Sequence, residues 1–154
     1  MNDDMNDDMN DTNHNRDIRN KPDKNLLLEP HQGILLIAHG SILADAEGDV
    51  RLLAEGLREH TDARVVEVGF LDYTDPRIPQ AVAACVKQGV NELLVLPYFL
   101  TTGFLLTKCL TRVKEAAAKH PTLTLRLAPP LGPHEKLADI VVERVEEASE
   151  NLEK

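Results

Sequence analysis

The stretch GILLIAHGSILAD (residues 33–45) opens on an apolar run and breaks off at His39-Gly40-Ser41. Residues 34–38 form a run too short for a helix and too unbroken for a strand with one wet face. They suit a strand buried on both faces, as in parallel sheets. The same signature returns at residues 64–70, 92–96 and 123–127.

A helical pattern follows each run. Val50, Leu53, Ala54 and Leu57 recur at helical spacing, and Asp45 can cap the start. Asp75-Pro76 reads as a cap followed by proline at the first helical position, leading into Ile78, Val82, Cys85 and Val86. The third helix carries Leu106, Cys109, Leu110, Val113 and Ala117; the fourth carries Leu137, Ile140, Val141, Arg144 and Val145. Four successive strand–helix units predict an α/β fold. Its three α/β/α layers would hold a four-stranded parallel sheet in flavodoxin-like order.

In such sheets ligands bind beyond the carboxyl ends of the strands. The unusual residues all fall in those segments: His39-Gly40-Ser41, Leu71-Asp72-Tyr73, Pro97 to Thr107 and Pro129 to His134. A neutral imidazole at His39 can coordinate a divalent metal or accept a proton near neutral pH. Gly40 lets a bulky ligand approach the backbone, and Ser41 can orient the ring or hold a carboxylate. The triplet also suits a plain turn, and position alone leaves both readings open. Asp72 can steer a metal, accept a proton, or serve as an ordinary acid at a helix start.

The segment PYFLTTGFLLTK (residues 97–108) holds three of the five aromatic side chains. Strand-to-helix loops are ordinarily short and polar. This one sets Tyr98, Phe99, Leu100, Phe104 and Leu105 around Thr101-Thr102-Gly103, an apolar lip suited to a flat hydrophobic ligand or to a subunit interface. Arg77, Lys108 and Arg112 can receive carboxylates or form solvated helix faces. His134, after PPLGP, can act as a ligand or as a helix cap. His60 and His120 sit at helix ends, where the negative dipole end favours them, and His14 and His31 belong to the N-terminal segment.

The totals narrow the classes. A chain of 154 residues suits one domain, residues 32–154, behind a tail. Residues 1–31 begin with a repeated four-residue unit, MNDDMNDDMND, and are expected to be a disordered acidic tail rather than a secretory leader. Net charge is -9, and the tail alone holds eight acidic against four basic side chains. So acidic a domain is a poor partner for nucleic acid. No run approaches the roughly 20 apolar residues that span a bilayer, so no membrane association and a cytoplasmic location are expected. Cys85 and Cys109 lie at no metal-ligand spacing and read as reduced thiols. No Walker or GxGxxG pattern calls for a nucleotide. A serine hydrolase built on Ser41 and His39 fits poorly, because adjacent side chains do not form a nucleophile–base pair and no GxSxG elbow exists.

Four stretches together, LLIAHGS, VEVGFLDYTDPRIPQAV, LLVLPYFLTTGFL and LAPPLGPHEKLADIVVERV, closely resemble the small form of the CbiX family over about residues 33–148. These are class II chelatases that insert cobalt, iron or nickel into sirohydrochlorin-type tetrapyrroles. The resemblance implies a flavodoxin-like half of a class II chelatase, paired with a second copy as a homodimer and needing no cofactor beyond the substrate metal. It implies His39 as metal ligand and proton acceptor and Asp72 in place of a substrate-contacting glutamate. It places Ser41 and the loop Leu100, Thr101, Thr102, Gly103, Phe104, Leu105 against sirohydrochlorin. One departure stands out. Many members carry a second metal-binding histidine where this chain has Leu105. His134 can supply that imidazole; or His39, Asp72 and water can suffice; or the chain is a non-catalytic metal or tetrapyrrole carrier.

Overall fold

The computed structural model describes residues 26–43 and 47–150. Strands Gln32–Ala38 (β1), Val66–Phe70 (β2), Glu92–Pro97 (β3) and Thr124–Leu127 (β4) alternate with helices Gly48–His60 (α1), Ile78–Lys87 (α2), Phe104–Ala117 (α3) and Glu135–Glu150 (α4). The strands form one parallel sheet in the order β2-β1-β3-β4. This is the predicted α/β architecture, with β1 inside the sheet.

Right-handed crossovers dictate the layers. The chain steps from β1 to β2 in one direction and from β2 to β3 and on to β4 in the other. α1 therefore covers one face, and α2 with α3 the opposite face. Successive side chains of β1 divide between them, as the pleat requires. Leu35 and Ile37 pack with Ala81, Val82, Cys85, Cys109 and Val113, whereas Leu36 and Ala38 pack with Val50, Ala54 and Phe70. Each fully buried leucine or isoleucine contributes about 1.5–3 kcal/mol over its exposed state, so β1 anchors both cores.

Three expectations shift. α1 starts at Gly48 with Glu47 at the cap position, and Asp45 lies outside the described residues. α2 starts at Ile78, two residues later than Asp75-Pro76 predicts, with Pro79 in its first turn. The Phe70 N–H donates to the Pro76 carbonyl at 2.9 Å and Phe70 bridges Arg77, so residues 76–77 run alongside the end of β2 before the helix begins. The reading of every strand as buried on both faces fails at β4, where only Leu125 is half-buried. β4 is an edge strand, and α4 buries none of its own residues against the sheet.

Most of the N-terminal segment lies outside the described residues. Its last part does not: Leu26 bridges Thr61, and Leu28 packs against the α1 side of the core. Among the described residues no helix is long and apolar enough to cross a membrane.

Candidate active site

β1 ends at Ala38, and the next residue is His39, placed where the strand order reverses between β1 and β3. That reversal opens a crevice at the strand ends. Two loops are stitched together there by backbone. The Leu71 N–H donates to the Ala38 carbonyl and the Asp72 N–H to the His39 carbonyl, both at 2.9 Å. Gly40 has φ 91°, and a Cβ on it would lie 2.0 Å from the Asp72 carbonyl oxygen. No side chain fits that approach. Thr74 is buried, and its hydroxyl accepts the Ser41 N–H and donates to the Ser41 carbonyl, each at 3.2 Å.

This frame brings the Asp72 carboxylate to His39, with Oδ2 4.0 Å from Nε2. Lys108 Nζ, from the second turn of α3, lies 3.3 Å from the same Oδ2, and Arg77 reaches Oδ1 at 3.8 Å. Arg77 also faces Asp75 at 3.5 Å. Two of the three cations that sequence offered to an incoming ligand thus already hold Asp72. Arg112 stands apart, paired with Glu115 on the surface of α3.

His39 and Asp72 can share a divalent cation after a small closure. Ligand bonds of about 2.1 Å in tetrahedral geometry place nitrogen and oxygen about 3.4 Å apart. Lys108 must yield Oδ2 first, because an ammonium and a metal cannot occupy the same oxygen side at once. Among the described residues no group of three or more His, Cys, Asp or Glu side chains is gathered to hold a metal. The two-residue pair therefore leaves open positions for water and for an incoming ligand.

His134 engages one ring nitrogen at a helix start. It precedes α4, and its Nδ1 accepts the Lys136 N–H at 3.1 Å, a cap on the helix start. Ser41 Oγ accepts the Leu43 N–H at 3.0 Å and so closes its own turn. In the apolar lip, Leu100, Phe104 and Leu105 are exposed, Phe104 to 79%, together with Thr101, Thr102 and Gly103. Phe99 instead packs half-buried against the α2–α3 core. The cleft beside His39 measures about 260 Å³ and is lined by Gly40, Ser41, Glu47, Phe70 and Tyr98. A larger depression of about 830 Å³ lies between α1 and α4, reaches Tyr98, Phe99 and Leu100, and does not include His39. Drug-sized ligands take about 300–1,000 Å³, so the cleft beside His39 falls below that range by itself.

The CbiX family model matches residues 33–148. The chain belongs to the CbiX family. It is 38% identical over 94 residues to sirohydrochlorin cobaltochelatase of Priestia megaterium, a match covering 61% of this chain and 31% of that protein. It is 34% identical over 99 residues to sirohydrochlorin cobaltochelatase of Methanosarcina barkeri, covering 59% and 75% of the two chains. The fold superposes on a CbiX protein of Marinobacter aquaeolei, described as a putative cobalamin biosynthesis protein, with a TM-score of 0.66 and 29% identity over 78% of this chain and 98% of that one. It also superposes on SirB, the sirohydrochlorin chelatase of Bacillus subtilis solved with cobalt, with a TM-score of 0.71 and 30% identity over 75% of this chain and 50% of SirB. This CbiX chain spans less than half the length of several curated relatives.

Two members of the site received no role from the sequence reading. Tyr73 sets its ring edge-to-face on the His39 imidazole, with centroids 5.8 Å apart and planes at 83°. Thr74 supplies the buried hydroxyl that joins the two loops. The one available signal was the scarcity of aromatics: a tyrosine directly after Asp72 is one of five in the chain. Both cysteines are free and buried, and burial pushes the thiols up, Cys85 to about 12 and Cys109 to about 11. A buried, protonated thiol is a poor nucleophile at neutral pH.

Proposed function

We propose that this chain inserts a divalent metal ion, cobalt foremost with iron and nickel as alternatives, into sirohydrochlorin in cobalamin or sirohaem biosynthesis. The observation that carries the reading is the His39–Asp72 pair at the open rim of the sheet, 4.0 Å apart, inside the family-matched region. Relatives named as cobaltochelatases and ferrochelatases support the choice of metal and ring. The metal is substrate, and no resident cofactor enters the scheme.

Insertion exchanges one divalent cation for two pyrrole protons. In the reading proposed here the ring lies over the strand ends, with its edge against Phe104 and Leu105. Its peripheral carboxylates compete with Asp72 for Arg77 and Lys108. That exchange frees Asp72 to join His39 on the metal, and water fills the remaining positions. As nitrogen–metal bonds form, the bonds from the metal to His39 and Asp72 break, and the freed imidazole takes the first pyrrole proton while the freed carboxylate or solvent takes the second. Weak, incomplete coordination suits transfer, since a closed four-ligand shell would retain the ion.

The reading includes a cytoplasmic homodimer, with no membrane or nucleic-acid partner. One lobe covers a planar ligand on one side only, and α4 presents Ile140, Val141 and Val145 to the outside. A carrier that binds metal or ring without turnover is the second reading, favoured by Leu105 at the position of the second histidine. Purified protein mixed anaerobically with sirohydrochlorin and Co²⁺, Fe²⁺ or Ni²⁺ separates the two. Absorbance changes well above the protein-free rate are expected; ring binding without such acceleration selects the carrier.

A further inference from the structure

Resting on the chelatase reading, we propose that Tyr73 is a positioning residue: its ring, carried on a strained three-residue turn, fixes the His39 imidazole so that Nε2 faces the incoming cation. Three observations support this.

Tyr73 has φ 66°, the one positive φ at a non-glycine residue among those described. The Thr74 N–H donates to the Asp72 carbonyl at 2.8 Å across it, closing a turn of three residues. With positive φ at the centre, that is the rare, strained form of the γ-turn. A bulky side chain in this region is an outlier, and such outliers gather at functional sites where the surroundings hold them. Glycine would occupy the position without strain.

Burial does not compensate for the strain, because Tyr73 is 60% exposed. Among the described residues its one aromatic partner is His39, in the edge-to-face arrangement that aromatic pairs prefer. The turn explains how this contact arises. In extended backbone, consecutive side chains point to opposite sides. Here consecutive residues converge on one ring, Asp72 with its carboxylate and Tyr73 with its phenol ring. The turn is gripped from behind by the Gly40–Asp72 approach and by Thr74 on Ser41, so the strain is held by the frame and not by the ring.

The test compares Tyr73→Phe, Tyr73→Ala and Tyr73→Gly by thermal melting, by anaerobic cobalt insertion into sirohydrochlorin, and by NMR of the His39 ring protons, assigned with His39→Ala. Y73F keeps wild-type turnover within about twofold. Y73A and Y73G lose about tenfold or more in kcat with KM nearly unchanged, as expected when a reacting group is misplaced. Y73G melts at or above the wild-type temperature because the backbone relaxes, so its loss of rate is not a loss of folding. Wild type and Y73F share the pattern of NOEs from the His39 ring to Ser41 and Asp72 protons, and Y73A and Y73G lose it. A rise in KM at constant kcat would make the ring a substrate platform and overturn the proposal. So would full activity in Y73G, or a Y73F as impaired as Y73A. If the wild-type protein inserts no metal, the chelatase reading falls. NOEs from the His39 ring to Ser41 and Asp72 protons, a pattern free of the tyrosine ring current, then decide the positioning role separately, and an unchanged NOE pattern in Y73G would sink it.

Discussion

His39 was legible because an apolar run cannot end in an imidazole without placing it at the mouth of the sheet, and Asp72 because it precedes a helix at the neighbouring strand end. Their proximity was not legible. It depends on hydrogen bonds between residues more than thirty apart, Asp72 to His39 and Thr74 to Ser41, which no local pattern encodes. The same distance in sequence hid the capture of Asp72 by Lys108. His39→Ala is expected to lower cobalt insertion by about 10²-fold or more, the range for removing a positioned acid–base group. The side chain is 37% exposed, so the melting temperature should move little. Retained turnover in the absorbance assay would reject the mechanism. His134→Ala tests a different link. With its Nδ1 on the Lys136 N–H, His134 contributes a cap worth about 1 kcal/mol or less, and turnover should stay within about threefold. A collapse of Co²⁺ affinity in calorimetry would instead make His134 a metal ligand.

At the scale of elements, the order and type of all eight followed from alternating apolar runs and helical spacing. One boundary moved because a tertiary contact competed with the local signal. The start of α2 is the example: a cap-and-proline pattern at Asp75-Pro76 yields to pairing of Phe70 with the Pro76–Arg77 segment. Burial of the last two elements was misjudged for another reason. Periodicity reports that a face is apolar, not whether anything covers it, and the face of α4 holding Val141 and Val145 stays open. Substitution separates the two kinds of apolar residue. Leu36→Ala, in the centre of β1 and fully buried, should cost about 3 kcal/mol in urea unfolding. Val142→Ala on α4, 55% exposed, should cost no more than about 0.5 kcal/mol. Equal losses would place α4 in a core that the isolated chain does not display.

For the whole molecule, the acidic balance and the open rim belong together. A net charge of -9 attracts cations and repels polyanionic carboxylate rings at long range. In the proposed reading ring capture rests on the local Arg77–Lys108 pair, and it should weaken as ionic strength rises while Co²⁺ uptake also declines. Assembly is testable directly. Light scattering should give about twice the 17.1 kDa chain mass, and Val141→Asp should return it to one chain with reduced metal insertion. A wild-type mass of one chain, with full activity, would remove the homodimer from the scheme.

Gly132 carries a last implication. A Cβ there would lie 2.3 Å from the Leu100 carbonyl oxygen, so the segment leading into α4 rides directly on the apolar lip. Main chain presses on main chain, a linkage that swapping outward-facing side chains leaves in place. Any push on α4 is therefore delivered to the backbone of the exposed loop at Leu100.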